Sequence, residues 1–139
     1  MPVYTKLYRT QHQQLLAIAG ELAPLLVTSR VRQEASRARA VLSRLVGALT
    51  VHLGMEDEGL YPLLLRQGDP AVREKARRFQ EEMGGIRGAV EAFAARWPTE
   101  AAIAAQPEAF VAETRSILDA LGKRIEREDG ELFPLADRA

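Results

Sequence analysis

The sequence has no cysteine among its 139 residues, which excludes disulfide bonds, thiolate metal sites and cysteine nucleophiles. It also lacks an excess of charge of either sign, because 19 Lys and Arg residues balance 19 Asp and Glu residues. This balance argues against electrostatic binding to nucleic acid, since proteins that do so usually carry a net basic surface. No segment approaches the roughly 20 apolar residues of a membrane span, and the first residues lack the apolar stretch of a signal peptide. We therefore expect a cytoplasmic protein that binds neither nucleic acid nor membranes.

Hydrophobic residues nevertheless make up 47% of the chain, which is enough to build the core of a single domain spanning residues 1–139. The alternation typical of strands is missing, and Gly and Pro divide the chain into segments with helical apolar spacing. The predicted helices run from about Thr5 to Val27, from Thr28 to about Tyr61, from Asp69 to just before Pro98, and from Pro107 to about Phe133, with a short helical turn over Thr99–Ala105. Pro134 is expected to end the last of them. The predicted fold is an all-α, antiparallel, up-down-up-down four-helix bundle.

Ionisable side chains interrupt the apolar faces of these helices at His12, His52, Glu56, Arg124 and Glu128. In an up-down-up-down bundle, these positions come to the same level of the same core. Burying carboxylates without partners is costly, and metal ions or counter-charges are the usual remedies. The five residues are therefore predicted to form one site, with the alternative that Arg124 turns outward to solvent.

A second signal is an internal repeat, in which HLGMEDEGLYP from residue 52 matches RIEREDGELFP from residue 124. Each copy places its first residue four positions before a glutamate, so that both side chains share a helix face. Each copy then ends in Leu, an aromatic residue and Pro. Two such copies at equivalent positions of a bundle support the interpretation of a shared site.

These residues and this repeat resemble the hemerythrin-like, or HHE cation-binding, family over nearly the whole chain. The resemblance implies a four-helix bundle whose core holds a non-haem di-iron centre bridged by carboxylates. It implies that His12, His52, Glu56 and Glu128 are metal ligands that together make up the half-site of one iron.

Two ligand positions of that family are substituted here, because Met83 and Arg124 stand where the resemblance calls for histidines. A thioether is a poor ligand for hard iron, and a guanidinium offers only donors. The chain has only two histidines, so no other alignment restores the set. The predicted cofactor is therefore one ion at most (iron, or else manganese or zinc), and a di-iron centre is not expected. Met83 is expected to fill the core, and Arg124 to pair with Glu56 and Glu128 where the second metal would lie.

Two functions remain open at this point. The first is a non-enzymatic metal-binding module for iron handling, sensing or regulation, which does not carry oxygen reversibly. The second is a metal-free interaction or structural module in which Arg124 replaces the charge of the second metal. Tyr8, one turn before His12, either hydrogen-bonds into the site or is a core aromatic residue. We expect a monomer or a weak homo-oligomer; the sequence identifies no protein partner.

Overall fold

The computed structural model describes residues 4–139, so that only positions 1–3 of the predicted domain lie outside it. Over this range the chain is helical and contains no strand, which confirms the all-α class. The α-helices of this range are α1 (Lys6–Leu22), α2 (Thr28–Gln33), α3 (Ala35–Met55), α4 (Tyr61–Leu65), α5 (Pro70–Met83), α6 (Ile86–Arg96), α7 (Glu100–Ala105), α8 (Pro107–Arg127) and α9 (Phe133–Arg138). None of these helices is both long and apolar enough to cross a membrane.

Local sequence signals account for several of the helix ends. Asp69 caps α5 by accepting a hydrogen bond from the backbone N–H of Ala71, and Pro70 occupies the first turn. Thr99 caps α7 in the same way, through the N–H of Ala102. The predicted third helix is divided into α5 and α6 at Gly84, where a Cβ atom would collide with the carbonyl oxygen of Gln80.

The two copies of the repeat each contain a π-helical turn, over Glu56–Leu60 after α3 and over Glu128–Leu132 after α8. A π-helical turn contains one more residue than an α-helical turn, which shifts the helix register and redirects side chains. Such turns are frequent at functional sites. Pro62 and Pro134 then lie in the first turns of α4 and α9. The prediction that Pro134 ends the last helix is wrong, since a first-turn proline needs no hydrogen-bonding N–H and the helix continues as α9.

The buried apolar side chains form two separate clusters. The larger one includes Leu49 and Leu53 of α3, and the smaller one includes Leu60 and Phe133. Along the chain, the buried ionisable residues of the repeat fall between the members of these two clusters. Helix α3 packs against α1, α6 and α7, while α8 packs against α2 and α6. The fold thus encloses a band of charged side chains between two apolar clusters.

Candidate metal centre

Four potential ligands from three parts of the chain converge in the interior. His12 lies on α1, His52 lies in the last turn of α3, and Glu56 and Glu128 are the first residues of the two π-helical turns. All four side chains are buried, and their ligand atoms lie within 4.8 Å of one another. The structure therefore brings together the four positions to which the family resemblance assigns metal ligands.

The facing atoms of this group are close but make no hydrogen bonds. His12 Nε2 lies 3.4 Å from Glu56 Oε2 and 3.2 Å from Glu128 Oε1. His52 Nε2 lies 3.2 Å from the same oxygen of Glu56. Among the described residues, His12 Nε2, Glu56 Oε2 and Glu128 Oε1 have no hydrogen-bond partner, whereas buried polar atoms normally have one. These atoms surround a space suited to a cation.

Each imidazole ring is held by a hydrogen bond at its other nitrogen. His12 Nδ1 donates to Asp129 Oδ1 at 2.8 Å, and His52 Nδ1 donates to Gln11 Oε1 at 2.6 Å. Both partner oxygens only accept, so Nδ1 carries the proton in each ring and the Nε2 lone pair is available to a metal ion. The ring of Phe133 stacks on His12 with centroids 5.4 Å apart, which further restrains the imidazole.

Arg124 points into the core, which overturns the alternative that it turns outward to solvent. Its side chain is only 3% exposed. Nη2 donates to Glu56 Oε1 and to Asp57 Oδ1, each at 3.0 Å, and Nε donates to Glu128 Oε2 at 3.3 Å. The guanidinium therefore contacts both buried glutamates and a third carboxylate.

Each of the two glutamates turns one carboxylate oxygen towards Arg124 and the other towards the histidines. Glu56 turns Oε1 to the guanidinium and Oε2 to both imidazoles. Glu128 turns Oε2 to the guanidinium and Oε1 to His12. Each carboxylate thus lies between the guanidinium of Arg124 and at least one histidine Nε2 atom.

Burial and charge shift the pKa values in this group strongly. Burial by itself lowers the pKa of His12, but contacts with the carboxylates around it, chiefly Glu128 and Glu56, raise that pKa to about 10. Burial raises the pKa of Glu56, but the two histidines and the guanidinium outweigh it and lower that pKa. Burial raises the pKa of Glu128, and the negative charge of Glu56 adds to the rise. A proton on His12 Nε2 and a metal ion are therefore alternative occupants of the same space.

The donor set fits one metal ion with a small contraction. Two imidazole nitrogens and two carboxylate oxygens suit divalent iron, manganese or zinc. In an octahedral ion, ligand bonds of about 2.1 Å place opposite ligand atoms about 4.2 Å apart, so the widest pair, which lies within 4.8 Å, would approach by roughly half an ångström. Three of the four atoms, His12 Nε2, Glu56 Oε2 and Glu128 Oε1, lack hydrogen bonds, so their movement towards an ion would break none.

The remaining predicted residues take supporting positions. Met83 is half-buried and its side chain packs against the smaller apolar cluster, while its carbonyl oxygen accepts a hydrogen bond from Arg124 Nη1 at 3.3 Å. The ring of Tyr8 lies edge-on to His52, with centroids 6.4 Å apart, and also contacts Phe133. The Tyr8 hydroxyl makes no hydrogen bond within the described range, so Tyr8 contributes packing.

Four residues that support the site were not assigned a role from the sequence: Gln11, Asp57, Tyr61 and Asp129. The repeat contained a signal for three of them, because Asp57 and Asp129 follow the glutamates directly and Tyr61 is the aromatic residue of the first copy. Nothing in the sequence distinguishes Gln11 from other polar residues of α1.

A comparison with protein families agrees with this geometry. The model of the hemerythrin HHE cation-binding domain matches residues 4–136, which is nearly the whole chain. Searches of the curated proteins and of the solved structures found no significant match. A buried group of two histidines and two glutamates, on a helical chain that this family model covers almost completely, leads to one conclusion: the chain belongs to the hemerythrin HHE cation-binding domain family.

Proposed function

We propose that the domain holds one divalent metal ion through His12, His52, Glu56 and Glu128, and that Arg124 takes the place of a second metal. The observation that carries the proposal is the arrangement of the two carboxylate oxygens of each glutamate. One oxygen accepts a hydrogen bond from the guanidinium, and the other lies beside His12 without a hydrogen bond. In the half of the site that lacks histidines, the guanidinium of Arg124 already donates hydrogen bonds to both glutamates. The ion would be iron, or else manganese or zinc.

Charge favours a cation in this position. The carboxylates of Glu56, Glu128, Asp57 and Asp129 all contact the site, and Arg124 pairs with the first three of them. With neutral histidines, four carboxylates and one guanidinium leave an excess of three negative charges, partly reduced by solvent at the two half-buried aspartates. A buried excess of this kind is costly unless a metal ion or a proton neutralises it.

The proposed role is metal handling, sensing or regulation without enzymatic activity. Reversible oxygen carriage in this family depends on two irons that share electrons, and Arg124 would keep the second iron out. The proposal includes the four-helix, up-down-up-down arrangement, with α1, α3, α5–α6 and α8 as its arms, since this arrangement accounts for ligands at one level from three of these arms.

A metal-free module is the second candidate, and one observation favours it. His12 is surrounded by carboxylates that raise its pKa to about 10, so a proton on Nε2 offsets part of the negative charge without a metal ion. Arg124 supplies further positive charge. In this case the bundle would act as an interaction or structural module.

Metal stoichiometry and thermal melting distinguish the two candidates. The protein is incubated without oxygen with ferrous, manganous or zinc ion, desalted and measured by elemental analysis and by its melting temperature. One ion per chain and a raised melting temperature support the metal site, because a ligand that binds only the native state stabilises it. Two ions per chain contradict the proposal, and an unchanged melting temperature with no retained ion supports the metal-free module.

A matched pair of variants ties the result to the site. His52→Ala removes one proposed ligand and is expected to abolish retention of the ion. Glu58→Gln changes an exposed carboxylate nearby, which pairs with Arg87 at 3.1 Å, and is expected to leave retention unchanged. Equal retention by both variants would show that the ion binds elsewhere.

A further inference from the structure

The hydroxyl group of Tyr61 reaches the oxygen of Glu128 that does not face His12. The Tyr61 side chain is buried, and its hydroxyl donates to Glu128 Oε2 at 2.7 Å. The guanidinium of Arg124 lies over the same ring, with its Cζ atom 5.6 Å from the centroid. A buried tyrosine normally satisfies its hydroxyl, but here the acceptor is one of the four proposed metal ligands.

This hydrogen bond is the shorter of the two that hold Glu128 Oε2. The other comes from Arg124 Nε at 3.3 Å, which is slightly longer than the usual range for such hydrogen bonds. Rotation about the last bond of a glutamate side chain is soft, so a carboxylate turns readily unless its oxygens are held. With Oε2 held by two donors, Oε1 remains the oxygen that faces His12.

The two glutamates of the repeat are held differently. Glu56 Oε1 accepts its 3.0 Å hydrogen bond from Arg124 Nη2, and no hydroxyl group contacts it within the described chain. Phe133, the repeat counterpart of Tyr61, has no hydroxyl and stacks on His12 instead. Only Glu128 therefore depends on an aromatic hydroxyl for its orientation.

We infer that Tyr61 is a positioning residue, whose hydroxyl fixes the Glu128 carboxylate so that Oε1 is directed at the metal position. The inference rests on the proposed function for its effect on metal affinity. The orientation of Glu128 itself is a property of the chain without metal. Two arms of one experiment therefore test the inference, and the second does not depend on metal binding.

The first arm measures affinity for Co²⁺, whose visible absorption reports the ligand geometry. Tyr61→Phe removes only the hydroxyl, and is expected to weaken Co²⁺ binding about 10- to 100-fold and to change the absorption bands, as loss of a group that orients a ligand typically does. Tyr4→Phe is the control, because it also removes a tyrosine hydroxyl but at a side chain that is 75% exposed. The inference would be overturned if Tyr61→Phe left the Co²⁺ affinity and spectrum unchanged, or if Tyr4→Phe altered them equally.

The second arm compares crystal structures of the metal-free native protein and Tyr61→Phe. The expected result is a rotated Glu128 carboxylate in the variant, with Oε1 no longer beside His12 Nε2. An unmoved carboxylate overturns the inference whether or not Co²⁺ binds. If the native protein binds no Co²⁺ but the carboxylate rotates, the positioning role stands and the proposed metal site fails.

Discussion

Arg124 and Glu56 are joined by a buried 3.0 Å contact between Nη2 and Oε1, while the other oxygen of Glu56 faces two imidazole rings. One carboxylate thus connects a fixed guanidinium to a position suited to a metal ion. The guanidinium also reaches Asp57, at 3.0 Å. The side chain that replaces a ligand of the family pattern is therefore built into the site.

Removing this guanidinium should destabilise the fold near neutral pH. Arg124→Met leaves buried carboxylates without their counter-charge, and breaking a buried ionic group in this way typically costs about 3–5 kcal/mol in the free energy of unfolding. Urea unfolding at pH 7 measures the loss. Arg44→Met, at an exposed ion pair with Glu21, is the control and should cost at most about 1 kcal/mol. Equal losses in the two variants would contradict the role of Arg124.

The loss in Arg124→Met should shrink in acid. Burial and the charge of Glu56 already raise the pKa of Glu128, and removing the guanidinium raises it further. A carboxyl group with a raised pKa in the folded state binds a proton on folding as the pH falls, which relieves the repulsion. The difference in unfolding free energy between variant and native protein, measured from pH 7 to pH 4.5, should therefore decrease; a constant difference would contradict this explanation.

Metal-free and metal-loaded protein should differ in their response to alkaline pH. The pKa of His12 is raised from 6.5 to about 10, so its stabilising contribution is complete below about pH 6.5 and is lost as the pH rises towards 10. A metal ion takes the place of that proton and does not leave as the pH rises. Melting temperatures from pH 6 to pH 9.5 should fall in chelator and stay more nearly constant with zinc. Parallel curves would show that metal and proton do not compete for His12.

The carboxylate behind His12 should set its strength as a ligand. Asp129→Asn keeps the size of the side chain but removes the charge that accepts the 2.8 Å hydrogen bond from Nδ1. Groups of this kind typically contribute 10- to 100-fold to metal affinity, so about that loss is expected in a competition titration with zinc. Asp119→Asn, at an exposed position of α8, should bind as the native protein does. A native affinity in Asp129→Asn would rule out this contribution.

Restoring both substituted positions should create room and ligands for a second ion. Arg124→His combined with Met83→His removes the guanidinium and adds two imidazoles, and the Asp57 carboxylate loses the arginine that it now contacts at 3.0 Å. The metal content measured by elemental analysis should rise from one ion per chain to two. The single variant Met83→His retains Arg124 and should stay at one ion. A second ion in that single variant would show that the guanidinium does not occupy the place of a metal.

The apolar spacing of the sequence was sufficient to predict the helical class and the level at which His12, His52 and Glu128 lie. Burial follows side-chain type along a helix, and these polar residues interrupt otherwise apolar faces. The start of α5 at Asp69 was similarly predictable, because a cap depends on one side chain and its neighbouring backbone.

The π-helical turns were not visible in the sequence. Their extra residue changes which backbone groups are paired from Glu56 and from Glu128 onward, and side-chain spacing over a few residues does not report that pairing. For the same reason Pro134 was expected to end a helix, although the shifted register places it in the first turn of α9. The hydrogen bond from His52 to Gln11 also required the packing of α1 on α3 to be known.

Anomalous diffraction from crystals soaked in zinc or ferrous ion tests the central claim most directly. We expect one anomalous peak, about 2.0–2.2 Å from His12 Nε2, His52 Nε2, Glu56 Oε2 and Glu128 Oε1, with Arg124 still in contact with both glutamates. Two peaks, a displaced guanidinium, or a peak that lies only outside this group would contradict the account.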